Sequence, residues 1–245
     1  MAILRAIAAH RGRSGRSHGR GRSAVSHGEE DDAGAAAKGR RPQRRRGQAR
    51  FEQLLDAAER LLAVPEDRDV SLAMVAEEAD VPLPSLYHFF PNRNALLVAL
   101  AERFIERLGE NAHRPLDPPP QRWQDIILRR QRIGADWLNG HPAALRLFMG
   151  AGVSVDVRTL DLRGNASLAR VRADEFRRWF DCSALPRLDD WMAITIGLTD
   201  GIWAISWAEH RRVTDECLAE SGAAAVAYLR TYLPEVLARH PQDTR

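Results

Sequence analysis

Residues 70–93 bring together side chains that can donate hydrogen bonds to phosphate groups and to the edges of bases. These donors are the hydroxyls of Ser71, Ser85 and Tyr87, the imidazole of His88 and the guanidinium of Arg93. Such contacts fix a protein on nucleic acid because phosphate oxygens accept hydrogen bonds. His88 alone could be a solvated surface residue, and the ring of Tyr87 could belong to the core. We interpret His88 as a phosphate or base contact, and Tyr87 as a packed ring whose hydroxyl reaches phosphate.

Patterns typical of catalysis or metal binding are absent from the sequence. It contains no glycine-rich phosphate loop and no H-E-x-x-H, C-x-x-C or G-x-S-x-G motif. The eight histidines are scattered along the chain. The two cysteines, Cys182 and Cys217, provide neither a disulfide framework nor metal-ligand spacing. We therefore expect a protein that is not an enzyme and that holds no metal and no cofactor.

The apolar spacing in residues 70–93 predicts two short helices joined by a tight turn. The first helix would begin after Ser71, a favourable N-cap, and the second would open with Pro82 in its first turn. Val81 would lie in the core between them. The buried face of the first helix would comprise Leu72, Val75, Ala76 and Ala79. This order is the helix-turn-helix, which places its second helix in the major groove of DNA.

This stretch resembles the signature of the tetracycline-repressor (TetR) family of bacterial regulators over about residues 46–104. The matching positions are Val75, Ala76, Ala79, Val81, Tyr87, Phe90, Arg93 and Leu96. The chain departs from the signature at four positions: Asp80 replaces a turn glycine, Pro82 and Pro84 replace Ser and Gly, and Arg93 replaces Lys. The two prolines remove backbone N–H donors that often meet phosphate in the family, so we expect side chains to carry more of the contact.

The resemblance implies an all-α protein with an N-terminal three-helix helix-turn-helix DNA-binding head and a C-terminal helical ligand-binding and dimerisation domain. We place the head at residues 46–92, with a connecting helix to about residue 113, and the second domain at 114–245. The residues expected to contact DNA are Arg44, Arg45, Arg46, Ser71, Pro82, Leu83, Ser85, Tyr87, His88 and Arg93.

Residues 1–45 are rich in Arg, Gly, Ser and Ala, a composition typical of disorder. Residues 1–50 hold 13 Arg and Lys against four Asp and Glu, whereas the whole chain has a net charge of only +3. We interpret residues 1–45 as a disordered basic arm that reaches DNA, although a solvated charge run is the alternative. The first twenty residues also faintly resemble a transit peptide, and a start codon placed too early would explain them equally well.

Aromatic residues are concentrated in the C-terminal part, on segments with helical spacing. Core packing explains any one of them, but as a group they exceed what a small helical core needs. Ligand sites form between the helices of such bundles. The residues expected to line a cavity for a small, apolar effector are Trp123, Trp137, Phe148, Trp179, Trp191, Thr195, Thr199 and Asp200. Asp200 could instead form a salt bridge with Arg170 or Arg172.

The last helix, expected from Thr214 or Asp215 to about Leu233 or a little beyond, has a face of small residues that would allow close helix packing, on its own domain or on a partner. In the family, the last two helices of each subunit form a two-fold interface. The resemblance therefore implies a homodimer, matched to a palindromic operator, with an interface that includes Trp203, Trp207, Leu218, Gly222, Ala225 and Leu229.

The remaining sequence predicts helices and loops only. Residues 151–164 are expected to be irregular, and the long helix from Leu188 to about Arg212 to bury one stripe. That stripe comprises Trp191, Ile194, Thr195, Leu198, Ile202 and Ile205. No apolar run approaches the ~20 residues of a membrane span. We predict a cytoplasmic, dimeric, TetR-like repressor that a ligand releases from double-stranded operator DNA. The alternative is a helical ligand-binding or scaffolding protein with a degenerate head.

Overall fold

The computed structural model describes Gly39 and residues 45–64, 69–150 and 154–240, and in these ranges every regular element is a helix. The helices are α1 (Arg45–Ala63), α2 (Leu72–Glu78), α3 (Leu83–Phe89), α4 (Arg93–Ala112), α5 (Trp123–Gly140), α6 (Pro142–Met149), α7 (Val155–Trp179), α8 (Leu188–His210) and α9 (Asp215–Arg230). The all-α fold, with an N-terminal helix-turn-helix and C-terminal helices, is confirmed. The predicted arm lies outside the described residues except for Gly39 and Arg45.

Helices α1–α3 form a compact head because each buries one apolar face in a shared core. The core side of α1 is built on Phe51, Leu54, Leu55, Ala58 and Leu62, at helical spacing. Ser71 caps α2 as predicted, since its Oγ accepts a hydrogen bond from the backbone N–H of Met74 at 3.2 Å. From α3, Leu86 and Phe89 point into the same core.

The turn between α2 and α3 contains the residue that departs from the family signature. Asp80 has φ of 51°, the left-handed region in which a turn glycine is unstrained. The turn is held from outside by α1, because the Gln53 side-chain amide donates to the Ala79 carbonyl at 2.7 Å. The chain therefore keeps the turn geometry despite the Cβ at this position.

Asp80→Gly is expected to raise the free energy of unfolding by about 0.5–1 kcal/mol, because relief of the left-handed strain slightly outweighs the added freedom of glycine in the unfolded chain. Asp80→Ala is expected to lower it, since Ala tolerates this conformation less well than Asp. Urea unfolding of both variants would measure the two changes. A less stable Asp80→Gly variant would show that the Asp80 side chain itself supports the turn.

Helix α4 connects the head to the C-terminal helices. Asn92 caps it by accepting from the Ala95 N–H at 2.8 Å. In its middle, the buried guanidinium of Arg103 donates to Asp56 at 2.6 Å and to Glu59 at 2.5 Å, and both partners lie on α1. This ion-pair cluster fixes the angle between α1 and the connecting helix.

Helix α7 corrects the expectation that residues 151–164 are irregular. It begins at Val155, where Ser154 caps it by accepting from the Val157 N–H at 3.3 Å. Gly164 does not end the helix, because it lies where α7 passes close to α4: a Cβ there would meet the Ile105 side chain at 3.3 Å. The glycine allows close packing, and its helix-breaking tendency is overridden by tertiary contact.

Helix α8 corrects the prediction of a single buried stripe. Trp191, Thr195, Thr199 and Trp203 point inward, together with Leu188, Met192 and Ser206. The aliphatic residues Ile194, Leu198 and Ile205, expected in the same stripe, are exposed in the single chain. The helix is apolar on two faces, so its sequence alone does not define which one is buried. Helix α9 also ends earlier than expected, at Arg230.

Candidate functional site

Helix α3 presents its polar side to solvent while its apolar side holds it on the head. Tyr87 is 50% exposed and His88 is also exposed, whereas Leu86, Phe89 and Phe90 are buried beneath them. Pro82 and Pro84 are exposed, and Leu83 and Ser85 are partly exposed at the start of the same helix. The structure therefore brings this part of the predicted DNA-contact set onto one surface.

The beginning of α3 corrects the expected position of the two prolines. Pro82 is the N-cap rather than the first helical residue, and Pro84 lies in the first turn. Neither has a backbone N–H, and no side chain caps this helix. Hydrogen bonding to phosphate at this end therefore depends mainly on side chains.

The other predicted DNA-contact residues have different surroundings. Arg45 and Arg46 are exposed at the start of α1, and Arg44 lies outside the described residues. Ser71 is exposed, with its oxygen used in the cap. Arg93 donates from Nε to the Val70 carbonyl at 2.8 Å and from Nη2 to Asp69 at 3.2 Å. Arg93 therefore braces the segment before α2, in addition to any contact outside the chain.

A cavity of about 150 Å³ lies between the C-terminal helices and α4. Its apolar wall includes the aromatic rings of Trp137, Phe148 and Trp203. Phe104 of α4 backs two of these rings edge-on, with centroids 6.2 Å from Trp137 and 6.3 Å from Phe148. A second space of about 130 Å³ between α4 and α7 adjoins it and shares the lining residues Asp161 and Asn165.

A buried ion-pair network lies along one side of the cavity. Arg130 forms a bidentate pair with Glu175, with Nε–Oε2 at 2.8 Å and Nη2–Oε1 at 2.5 Å, and Nη2 also donates to the Arg114 carbonyl at 2.7 Å. Arg172 donates to Glu175 at 3.4 Å and to the Ala112 carbonyl at 3.1 Å. Burial and the neighbouring Arg130 lower the pKa of Arg172 to about 10. The two guanidiniums thus share one carboxylate, and the buried Nη1 of Arg130 has no hydrogen-bond partner.

The cavity wall also carries the carboxylates Asp200 and Asp161. Asp200 accepts a hydrogen bond from the Asn165 amide at 2.7 Å, and no described basic side chain forms an ion pair with it. Burial, and then the charge of Asp161, raise the pKa of Asp200 to about 7. Asp161 is paired at 2.6 Å with Arg158, whose side chain is half exposed. The alternative that Asp200 is bridged to Arg170 or Arg172 is not what the structure shows.

The predicted ligand residues fall into two groups. Those that line the cavity are Trp137, Phe148, Thr195, Thr199 and Asp200. The other three lie in or against a separate core cluster: Trp123 and Trp191 are buried in it, and Trp179 packs against it. Trp123 donates from Nε1 to the Pro234 carbonyl at 2.9 Å, and Trp191 stacks on Tyr232 at 4.4 Å. These three residues correct the predicted set, because helical spacing shows burial but not which core is filled.

The two threonines that line the cavity use their hydroxyl hydrogens in bonds within their own helix, so neither hydroxyl is a free donor for a ligand. The Thr195 hydroxyl donates to the Trp191 carbonyl at 2.8 Å, and the Thr199 hydroxyl donates to the Thr195 carbonyl at 3.0 Å. Lining residues that the sequence reading missed include Arg130, Gln131, Asp161, Asn165 and Arg172. Of these residues, only Arg130 could have been identified from sequence, because it is a charged residue at a buried position of the apolar stripe of α5.

The residues expected at the dimer interface lie inside the chain itself. Leu218, Gly222, Ala225 and Leu229 form the buried face of α9. A Cβ at Gly222 would come within 2.7 Å of Leu128 on α5, so this face already has an intrachain partner. Trp203 is buried and lines the cavity, and Trp207 is partly buried with Arg211 over its ring at 4.4 Å. Apart from Trp207, the predicted interface residues are therefore packed within the single chain.

The outer side of α8 carries an unpartnered apolar stripe. Ile194, Leu198 and Ile205 are 47%, 39% and 53% exposed in the single chain. Gly197 and Gly201 lie between them, and an added Cβ at either would meet nothing within 4 Å. Exposed aliphatic residues at helical spacing around small residues are typical of a surface that packs against another helix.

Comparison with known proteins gives a match over the head. The sequence model described as "Bacterial regulatory proteins, tetR family" matches residues 54–100, from the middle of α1 into α4. The HTH-type transcriptional regulator EthR of Mycolicibacterium smegmatis is 29% identical over 109 residues, 44% of this chain and 50% of EthR. The match thus spans about half the length of this curated relative.

Solved structures share the helical fold over about three quarters of this chain. A TetR transcriptional regulator from Rhodococcus sp. RHA1 superposes with a TM-score of 0.55 at 19% identity, covering 77% of this chain and 100% of that one. Salmonella enterica GusR gives 0.56 at 16% identity, covering 75% and 96%. At these identities the likeness concerns the fold. None of the helices in the described part of this chain has both the length and the apolar character needed to cross a membrane.

Proposed function

We propose that this chain, which is similar to the tetR family of bacterial regulatory proteins over residues 54–100, is a homodimeric repressor that binds a palindromic operator and is released by a small ligand. In this proposal residues 46–92 bind DNA, residues 114–245 bind ligand and a second copy, and the protein works in the cytoplasm. It performs no catalysis, in keeping with a family of generally non-enzymatic regulators.

The observation that carries the DNA-binding role is the surface of α3. Tyr87 and His88 are exposed on a helix whose other side is anchored by fully buried residues such as Leu86 and Phe90. A helix held in this way presents its side chains without large conformational cost, as the second helix of a helix-turn-helix does in the major groove. Arg45 and Arg46 at the start of α1 add positive charge for phosphate.

Selection of bound fragments from sheared genomic DNA by the full-length protein would test this role. We expect enrichment of one inverted repeat, including sites close to the protein's own gene. Recovery of fragments with no common sequence would favour the alternative of a helical ligand-binding or scaffolding protein with a degenerate head.

The route from cavity to head would run through α6 and α4. Phe148 lines the cavity, and two residues earlier on α6 the Arg146 Nη1 lies 3.5 Å and 3.4 Å from the carbonyls of Leu62 and Val64 at the end of α1. At the start of α4, Asn94 donates to Asp156 of α7 at 2.6 Å. A ligand that shifts α6 or α7 would therefore reorient the heads, to the extent that it binds one state more tightly.

Removal of residues 1–44 is expected to flatten the dependence of operator affinity on salt without changing the preferred sequence. Residues 1–44 carry 10 Arg and Lys against four Asp and Glu, and each phosphate contact adds about 0.9 to the slope of log affinity against log salt. Fluorescence anisotropy at several salt concentrations would give both slopes. An unchanged slope would show that these residues do not contact DNA.

A further inference from the structure

We propose that the effector is a small aromatic or alicyclic ammonium compound, whose cationic group lies at Asp200 and whose ring lies against Trp137, Phe148 and Trp203. This inference rests on the proposed ligand-binding role and names the chemical class of its ligand. It depends on three features: the size of the cavity, the carboxylate in its wall that has no ion-pair partner, and the grouping of the lining arginines around Glu175.

The volume of the cavity limits the ligand to about one ring. A space of about 150 Å³ is on the scale of a cavity that accepts a single benzene molecule. Aromatic faces make up part of the wall, and such faces attract a nearby cation through the ring quadrupole. Trp203 keeps its indole N–H engaged with the Ser221 hydroxyl at 3.0 Å, so its ring rather than its donor is available to a ligand.

Asp200 is the carboxylate in the wall that has no ion-pair partner among the described residues, although the charge of Arg158, which is paired with Asp161, also lowers its pKa. Its hydrogen-bond partner is the neutral amide of Asn165, and no ion pair joins it to any described residue. Asp161 adds a second carboxylate on the facing helix, with Arg158 as its partner from the surface. A buried carboxylate without a cation is costly, and an ammonium group would relieve that cost.

The other charged groups of the cavity include one open donor, because the buried Nη1 of Arg130 has no hydrogen-bond partner. Those that line it with Asp200 are Arg130 of α5 and Asp161 and Arg172 of α7. Arg130 and Arg172 share Glu175 and donate to backbone carbonyls, as described above. No charged side chain of α6 or α9 lines the cavity within the described ranges. Asp200 and Asp161 therefore form a distinct acidic end.

Benzylammonium and ethylbenzene form a matched probe pair, because they have the same shape and differ in charge. Titration calorimetry with the full-length protein is expected to give at least about 10-fold tighter binding of benzylammonium at pH 8. Its affinity is expected to rise about 10-fold from pH 6 to pH 8, because Asp200 loses its proton over this range and only its ionised form attracts the cation. Ethylbenzene should show no such dependence.

Asp200→Asn is expected to remove the preference for benzylammonium and its pH dependence, since Asn has the same shape and no charge. Affinity for ethylbenzene should stay within about two-fold, because the apolar wall is unchanged. Asp190→Asn is the matched control: Asp190 lies on the same helix, is exposed and pairs with Arg187 at 3.1 Å. Circular dichroism would verify that all variants are folded.

Equal or tighter binding of ethylbenzene, absence of benzylammonium binding at millimolar concentration, or an unaffected Asp200→Asn variant would each overturn the inference. Measuring operator affinity with and without benzylammonium distinguishes a failure of the inferred ligand class from a failure of the proposed function. Operator binding without a charge preference in the cavity contradicts only the inference. A charge preference without weakening of operator binding, expected at roughly 5- to 150-fold, contradicts only ligand-controlled release.

Discussion

Leu198→Glu is expected to convert the protein to a monomer and to weaken operator binding by about 100-fold or more, because each head would then bind its half-site alone. Leu198 lies in the middle of the exposed stripe on α8, between Gly197 and Gly201. In a two-fold interface, the change would place two carboxylates in an apolar contact, at a large desolvation cost.

The change should leave the fold intact, since Leu198 is 39% exposed in the single chain. Light scattering coupled to size-exclusion chromatography would measure the mass, and anisotropy would measure operator binding. Leu162→Glu is the control, because Leu162 is a 54% exposed leucine on α7 outside the stripe. If Leu198→Glu remains a dimer, the shared surface lies elsewhere on the molecule.

Tyr87→Ala and His88→Ala are each expected to weaken operator binding by roughly 5- to 150-fold, corresponding to the ~1–3 kcal/mol of a good base or phosphate contact. The two changes should differ in their effect on stability. His88 is exposed, so its removal should alter the free energy of unfolding by less than about 0.5 kcal/mol. Tyr87 is only 50% exposed, and loss of the packed half of its ring should lower the melting temperature.

The matched control for His88 is His113, an exposed histidine that follows the far end of α4. His113→Ala should bind operator like the unmodified protein. Footprinting would show whether the weakened variants still protect the same bases. Normal operator binding by His88→Ala would place the recognition surface on another part of the head.

The head could be derived from sequence because its determinants are local. Ser71, Asn92 and Thr214 are caps whose hydrogen bonds reach only three residues along the chain. The apolar residues of α1 recur at helical spacing and define one buried face. The turn at Asp80 lies directly between the end of α2 and the start of α3. Signals of this kind depend on neighbours in the chain, and sequence shows those neighbours directly.

The prediction that residues 151–164 are irregular depends on the same kind of local signal. It is wrong for residues 155–164, which are helical. Gly164 reads locally as a helix breaker, whereas the close approach of Ile105 from α4 makes a small residue favourable there. The contact joins residues far apart in the chain. Local propensity therefore could not distinguish a break in the helix from a packing site.

The cavity and the outer stripe were decided by tertiary structure alone. Helix α8 is apolar on two faces, so only its packing against α7 and α9 turned Trp203 inward and left Leu198 exposed. Asp200 and Asn165 meet across 35 positions of sequence, where no spacing rule applies. Sequence determined most of the helical segments, because helix formation and capping are largely local, and it missed the beginning of α7. Which helix packs against each face is decided by the tertiary structure, because the burial of one face depends on the positions of all the other helices.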